Sequence, residues 1–532
     1  MCLHAQTFTN FQAGLNSFFG GGLEHNGLIY FTATTPSTGN ELWVTDGTHF
    51  GTKTVREINP GTNSALVSYL ISFNNKVLFS ANNGTHGREL WETDGTYTGT
   101  KMIKDINPGA QHSSPGPFLY YSVGPMIHQQ MLIFSANNGS TGIELYKYAQ
   151  FINPLTSLFY WDVALIKDID LGAGHSKPEN FTIYKGKVYF SANEGTTHGK
   201  RGNELWVTDG TEGGTRVVRD INPGNGNSFP SHFAVSNDLL FFRADDGTNG
   251  AELWVTDGTI AGTKMVKNIN ASGGSYPMHL YSFNNKVYFS AADDGTKRNL
   301  WVSDGTTAGT KKVEGLYTSY SSMSFEPKDF TELNGELYFS GFRKQLWKLD
   351  NSTGKATRVR TINTSSAVEG VDFFTVYNGK LYFRGYTLAN GHSLWESDGT
   401  YDGTKIIEPP VSTNTDPLGG TSFSMKAFSD GLYFNANFDS NGWSAWKVTT
   451  NPTSVDRISQ ADLSIYPNPV AERLNIRTDF TVKEIRLISM TGQTVGTWKN
   501  TQSVSLAGID QGAYIVHIDT SEGTAVRKVM KK

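Results

Sequence analysis

The stretch "NNKVLFSANNGTHGRELWETDGTYTGTKMIKDINPG", residues 74–109, decides the fold. It opens on Asn-Asn, a pair that tolerates positive φ at both central positions of a tight hairpin. "KVLFSA" follows as a strand rich in aromatic and β-branched residues, then a Gly/Asn loop, "ELWET", the loop "DGTYTGT" and the strand "KMIKDI". With the apolar "YLISF" that precedes the turn, the unit has four strands. It returns at "NGLIYFTA" from Asn26, "QQMLIFSANNGSTGIELY" from Gln129, "KGKVYFSA" from Lys185, "NDLLFFRA" from Asn237 and "NNKVYFSA" from Asn284. "NGELYFSG" from Asn334, "NGKLYFRG" from Asn378 and "DGLYFNAN" from Asp430 bring the count to nine, with starts 44 to 56 residues apart.

Four short antiparallel strands in about 50 residues is the period of a propeller blade. Each blade packs against neighbours on both faces, which accounts for apolar residues on both sides of "VYFSA" and "ELWV". A linear β-solenoid is the alternative, but its coils are shorter and its strands parallel. The reading is therefore all-β: a large β-propeller over residues 7–450, with nine repeats and eight or nine four-stranded blades. Nine exceeds the usual range of about four to eight. The last unit lacks a fourth strand after "SAWKVTT", and "TFTNF" near the N-terminus is available to supply it and close the ring.

Two residues recur in every clear copy of the motif. Trp stands at 43, 91, 206, 254, 301, 347, 395 and 446, with Tyr146 in its place in the third unit. A large residue at one strand position of every blade points to blade-to-blade packing, with an N–H that seeks a partner; a ring of exposed ligand-binding aromatics is the competing reading. Asp stands at 46, 94, 209, 257, 304 and 398. Its carboxylate suits an Asx-turn, and the Gly that follows suits a left-handed backbone. This is turn chemistry that needs no ligand. The nearest approach to a calcium loop is Asn437-x-Asp439-x-Asn441-Gly442, but Val448 stands where a bidentate Glu belongs. No cofactor or metal is assigned; calcium is the one ion worth considering.

The motif closely resembles that of bacterial ELWxxDGT-repeat proteins, matched at Glu41–Thr48, Glu89–Thr96, Glu204–Thr211 and Glu252–Thr259. The resemblance covers most of residues 26–450 and implies a secreted, propeller-like protein without implying an activity. The third, seventh and ninth units depart from the motif.

A polar stretch, residues 451–460, leads into a different pattern over 461–532. Alternating apolar runs with Gly turns predict a small immunoglobulin-like β-sandwich. Tyr466-Pro467-Asn468-Pro469, Gly492-Gln493, Gly512-x-Tyr514 and the terminal Lys531-Lys532, in this order, resemble the C-terminal sorting domain of type IX secretion (Por system) cargo in Bacteroidetes. The resemblance implies export by signal peptide, then passage through an outer-membrane translocon. It also implies a shuttle, and a sortase-like protease that removes the domain and attaches the cargo to surface lipopolysaccharide. Consistent with export, "LHA" before Gln6 reads as the end of a signal peptide, so residues 1–6 are a remnant of one, and the single cysteine, Cys2, goes with it; a short unstructured start is the alternative.

Lys and Arg number 45 against 49 Asp and Glu, for a net charge of −4, with no basic run before the C-terminus. That composition argues against a nucleic-acid partner. No stretch approaches the roughly 18–20 apolar residues of a membrane-spanning helix. The sequence contains no zinc-protease, serine-hydrolase-elbow or phosphate-loop motif; His86 and His198 precede Gly in equivalent loops. Function in a repeat scaffold belongs where the repeat breaks. In the third unit "YKYAQFINPLTSLFYWD" replaces the DGT loop, bringing Tyr146, Tyr148, Phe151, Phe159, Tyr160 and Trp161 together. Exposed, these aromatics would stack on a glycan or meet a surface protein; buried, they would pack on a neighbouring blade. The expectation is a binding or adhesion module, with Tyr146, Tyr148, Phe159, Tyr160 and Trp161 as the ligand contacts. A polysaccharide-degrading enzyme at the channel mouth and a structural surface-layer protein are the alternatives.

Overall fold

Asn74 and Asn75 take φ of 49° and 57°, and Asn284-Asn285, Asn26-Gly27 and Asn334-Gly335 repeat that left-handed pair. A turn with both central residues left-handed matches the twist of its flanking strands, so each such pair closes the first hairpin of a blade. The structure, a computed structural model, describes residues 5–124, 129–195, 201–315, 324–342, 344–362, 370–409, 412–420, 423–440, 442–451, 463–478, 480–489, 494–520 and 524–532. Cys2, His198, Asn441, Gly492, Gln493 and most of the 451–460 stretch lie outside the described residues. The chain divides into two compact units, Phe8–Lys447 and one that includes Val448–Lys532.

Among the described residues the first unit forms nine four-stranded antiparallel sheets. In blade 2 the strands are Ser68–Phe73, Lys76–Asn82, Arg88–Thr93 and Lys101–Lys104, paired in chain order. Blades 1 and 3 to 8 repeat that order. The first strands of blades 3 to 9 neighbour one another in turn, the first strand of blade 1, Asn16–His25, lies against those of both blade 2 and blade 9, and blades 2 and 3 meet through Phe73, Leu78, Leu132 and Phe134. The ring is therefore closed, with first strands innermost. Blade 9 takes its outer strand from the other end of the chain: Ala5–Gln12 pairs with Ser444–Asn451, beyond Gly431–Ala436 and Met425–Phe428. Phe11 packs on Tyr433 at 5.4 Å, and Gly14 N–H donates to Ser444 Oγ at 3.3 Å. Nine repeats thus make nine blades.

The repeated Trp is 3–9% exposed in all eight blades that carry it. Trp91 joins Tyr30, Leu42 and Val44 of blade 1, and Trp395 joins Tyr338 and Leu346 of blade 7, so each fills the gap to the blade before it. The indole N–H is where packing and sequence logic part. Trp347 Nε1 donates to Gly341 O at 3.1 Å, but Trp43, Trp91, Trp206, Trp254, Trp301, Trp395 and Trp446 have no acceptor. Nothing in the structure explains those seven unpaired donors.

The DGT loop is a set of short local bonds. Asp46 Oδ1 accepts from Thr48 N–H at 2.9 Å and Thr48 Oγ1 at 2.6 Å, and Thr48 Oγ1 accepts from Gly51 N–H at 3.0 Å. Asp94, Asp209, Asp257, Asp304 and Asp398 repeat this arrangement. Below it Thr45 and Thr52 share a buried hydroxyl bond of 2.7 Å. These bonds lower the loop carboxyls of Asp46 and Asp94 from their ordinary value.

In the second unit, Leu463–Tyr466, Arg473–Thr478 and Ser503–Ser505 form one sheet, and Thr494–Lys499, Val482–Ser489, Gly512–Thr520 and Thr524–Lys531 another. Leu463, Leu474, Ile485, Val516 and Ile518 build one core between them. Tyr514 Oη donates to Asp510 O at 2.9 Å, a tyrosine corner that fixes entry into its strand. Asn468 Nδ2 donates to Lys528 O at 2.9 Å, and Asn468 Oδ1 accepts from Met530 N–H at 2.8 Å. Tyr466 and Lys532 are exposed, and Lys531 is half-buried. Among the described residues, no helix is long and apolar enough to cross a membrane.

Candidate functional site at the channel mouth

The motif Glu, which the sequence pattern leaves without a role, organises the loop that leads out of each of blades 1 to 5 into the next inner strand. Glu204 is fully buried; it accepts from Ile221 N–H (2.8 Å), Asn222 N–H (3.2 Å) and Ser228 Oγ (2.7 Å). Glu252 does the same with Ile269, Asn270 and both donors of Ser275. Glu41, Glu89 and Glu144 clamp their own loops in this way. Burial outweighs these bonds and pushes Glu41, Glu144 and Glu204 up to about 7. The clamp bonds span 17 to 32 residues of sequence, so no short-range pattern reveals them.

Phe229 and Tyr276 follow directly on the clamped Ser228 and Ser275. Both have left-handed backbone, with φ of 46° and 49°, and both stand before a proline. Leu66, Ser114, Lys177 and Glu326 adopt the same φ at the equivalent points of other blades, so the conformation belongs to the architecture and the side chain is free to vary. In blades 5 and 6 it is aromatic, 57% and 51% exposed. Three residues further on, six of the inner strands carry a bulge whose first residue is again left-handed: Tyr69, Asn180, His232, His279, Asp329 and Phe373. His232 and His279, equivalents in adjoining blades, bring their ring centroids to 6.4 Å. Burial, then the charge of Arg243, holds His232 down at about 4, so at neutral pH it is an uncharged hydrogen-bonding group.

Phe229, Tyr276, Ser231 and Arg243 line a cavity of about 340 Å³, together with Glu179, Asn180 and Asp245. That volume sits at the small end of ligand sites, roughly 300–1,000 Å³. The loops that enter first strands and those that join second to third strands share one end of the blades, so this cavity opens at the mouth of the central channel.

The insertion of blade 3 lies at the opposite end, where third strands turn into fourth. Ile143–Ile152 and Phe159–Lys167 form a long hairpin. The aromatic residues divide between its two sides. Tyr146 and Tyr148 are 4% and 6% exposed, and Trp161 stands edge-on to Phe73 of blade 2 at 5.2 Å. Phe159 and Tyr160 are about half exposed, beside Phe151 and the bare tip residues Leu155 and Leu158. His86 bonds to Asn83 Nδ2 at 3.1 Å within its own turn, and Asn437 Oδ1 accepts from Gly442 N–H at 3.0 Å. Among the described residues, no cluster of three or more His, Cys, Asp or Glu side chains is grouped to hold a metal.

Fold and tail together define a large β-propeller followed by an export module. Residues 464–532 match the secretion system C-terminal sorting domain, Por_Secre_tail. The chain therefore carries the type IX secretion signal and is secreted or cell-surface cargo of that route. No curated protein matches the sequence. Among solved structures the chain is similar to puromycin hydrolase (14% identity, TM-score 0.36), covering 70% of this chain and 58% of that one. It is similar to a puromycin-hydrolyzing peptidase of Mycobacterium tuberculosis (11%, 0.34), covering 70% and 57%. The β-propeller domain of the Trilobed protease from Pyrococcus furiosus (8%, 0.32) aligns with 74% of this chain and 98% of its own length. The chain thus spans less than two thirds of the hydrolases it is similar to.

Proposed function

We propose that the propeller is a surface-displayed binding module for a glycan, seated at the channel mouth over blades 4 to 6. The observation that carries this reading is the pair Phe229 and Tyr276. The fold accepts Leu, Ser, Lys or Glu at this position, yet blades 5 and 6 hold two half-exposed rings there, fixed by the Glu204 and Glu252 clamps beside a cavity. Rings presented flat and rigid are suited to stack on sugar faces at low entropic cost. The aromatic pair Phe159 and Tyr160 at the other end of the ring is a second contact region, with a surface protein as its partner. The sorting domain would engage the translocon, shuttle and sortase-like attachment machinery, leaving the propeller fixed to the outer membrane.

The test is a glycan array with the full chain and with Phe229→Ala and Tyr276→Ala. Loss of a bound glycan in both variants, at unchanged melting temperature, supports the site. Binding that survives both substitutions removes it.

A further inference from the structure

One position on the second strand sets blades 5 and 8 apart. Ser80, Ser135, Ser191, Ser290 and Ser340 occupy it in five blades and Thr32 and Asn435 in blades 1 and 9, whereas blade 5 has Arg243 and blade 8 has Arg384. In blade 8 the inner strand places Asp372 directly opposite. Arg384 Nε and Nη2 donate to the two Asp372 oxygens at 2.8 and 2.7 Å, and Nη1 donates to the Leu418 and Gly420 carbonyls. Phe373 and Phe423 cover the guanidinium at 4.9 and 5.3 Å. That arginine is fully occupied.

In blade 5 the register puts Ser231, not an aspartate, opposite Arg243. Among the described residues, Arg243 has no carboxylate within ion-pair distance, although it is half-buried and burial and the neighbouring Arg298 both disfavour its charge. The two acids that line the same cavity do not answer it. Asp245 Oδ1 accepts from Gly247 N–H at 2.8 Å, the turn role that Asn82 and Asn193 play in blades 2 and 4. Glu179 is exposed at the rim. A desolvated cation without a counterion is costly, and blade 8 shows that this fold can supply one. The natural reading is that blade 5 receives its counterion from outside.

The geometry points to Arg243 as the residue that reads a negatively charged group, carboxylate or sulfate, on the sugar bound at the channel mouth. This rests on the glycan-binding reading above. The planar guanidinium fork offers two parallel N–H donors, which match two oxygens of either group. Phe229 and Tyr276 then face the sugar ring that carries it, and Asn180 and Ser231 of the same lining are available to its hydroxyls. An acidic oligosaccharide is the ligand that uses all of these groups at once.

The experiment measures binding of the full chain to four probes of equal length: an oligouronide, a sulfated oligosaccharide, a neutral oligosaccharide and a poly-glutamate peptide. The expected result is retention of the oligouronide, the sulfated sugar or both, at least tenfold over the neutral one, weakening with salt. Which of the two is held identifies the anionic group. Arg243→Ser, which installs the residue of five other blades, is expected to reduce that binding at least tenfold while the melting temperature holds or rises. Ser231→Asp supplies the missing partner and is expected to raise the melting temperature and suppress binding. Equal affinity for neutral and acidic sugars, binding unchanged in Arg243→Ser or Ser231→Asp, or no binding of any acidic sugar overturns the proposal. If neutral sugars bind and Phe229→Ala abolishes that binding, the glycan reading survives while the anionic one fails. If only the peptide binds, both fail.

Discussion

Gly214 lies so close to Asp209 that a Cβ on the glycine would fall within 3.0 Å of the carboxylate carbon and both its oxygens. Gly51, Gly99, Gly262, Gly309 and Gly403 stand in the same relation to their own loop aspartates. The second Gly of the DGTxxGT loop is therefore set by close approach, because the Asp has folded back over it to bond the Thr between them. Gly214→Ala is expected to destabilise the propeller by about 2–4 kcal/mol through loss of that bond and local strain. Gly213, its neighbour, has open space around its Cβ position. Gly213→Ala is expected to be within about 1 kcal/mol of the parent, on either side. Urea denaturation of the two variants checks the contrast; equal effects would show that the loop relaxes around the new methyl group.

The buried glutamates make stability depend on pH in a defined direction. Glu41, Glu144 and Glu204 are raised from 4.5 to about 7, mainly by burial. The fold thus holds their protons more tightly than the unfolded chain does. Their contribution is complete below about pH 4.5 and is lost as the pH rises through about 7, on the order of 1–3 kcal/mol at each site. The urea midpoint is expected to fall between pH 5 and pH 8, and a midpoint that rises over this interval refutes the assignment. Blade 7 already carries the neutral counterpart, with Gln345 Oε1 accepting from Ile362 N–H at 2.7 Å. Glu204→Gln should accordingly fold and flatten the profile. Glu204→Ala leaves the Ile221 and Asn222 N–H donors unanswered, at about 1–3 kcal/mol each, and should release the Phe229 loop.

What the sequence discloses here depends on the range of the interaction. The Asn-Asn turns, the Trp seam and the Asp-to-Thr bonds act over a few residues, so their spacing repeats visibly in the chain. Closure by Ala5–Gln12 was legible because one unit ended a strand short. The Glu clamps span 17 to 32 residues, and they read as part of a strand until the loop is seen folded onto them. Arg243 is further from reach: its isolation depends on which inner-strand residue the register sets opposite, Ser231 in one blade and Asp372 in another. The blade 3 insertion shows the remaining gap. Its composition announces an aromatic cluster, but alternation along a hairpin that leaves the ring cannot say which side finds Phe73.

That hairpin separates packing from exposure in a way mutation can read. Tyr148 lies between Phe73 (5.9 Å) and Trp161 (5.4 Å), so Tyr148→Ala is expected to cost about 3–5 kcal/mol. Phe159→Ala and Tyr160→Ala remove half-exposed rings and are expected to stay within about 1 kcal/mol. Shortening the 153–158 tip should likewise leave the melting temperature in place, since Leu155 is 93% exposed. A large loss on cutting the tip would mean that the hairpin is held from its end and not from blade 2.

In the sorting domain the Tyr466–Pro469 motif and the end of the chain act as one device. Asn468 brackets the last strand at Lys528 and Met530, while Val470 N–H donates to Met530 O at 2.7 Å and Lys532 N–H donates to Val470 O at 2.9 Å. The two parts of the signal that lie farthest apart in the domain's sequence are thus joined by four hydrogen bonds, and a receptor would meet them as a single surface with Tyr466 and Lys532 exposed. Removing residues 461–532 is expected to hold the protein in the periplasm of a type IX secreting host, read by cell fractionation and surface labelling. Asn468→Ala loses two of the four bonds, about 1–3 kcal/mol by general magnitudes, and is expected to lower surface display without unfolding the propeller. Undiminished display of the truncated chain would mean that export is directed from elsewhere. Undiminished display of Asn468→Ala alone would place recognition on the exposed side chains and not on the clasp beneath them.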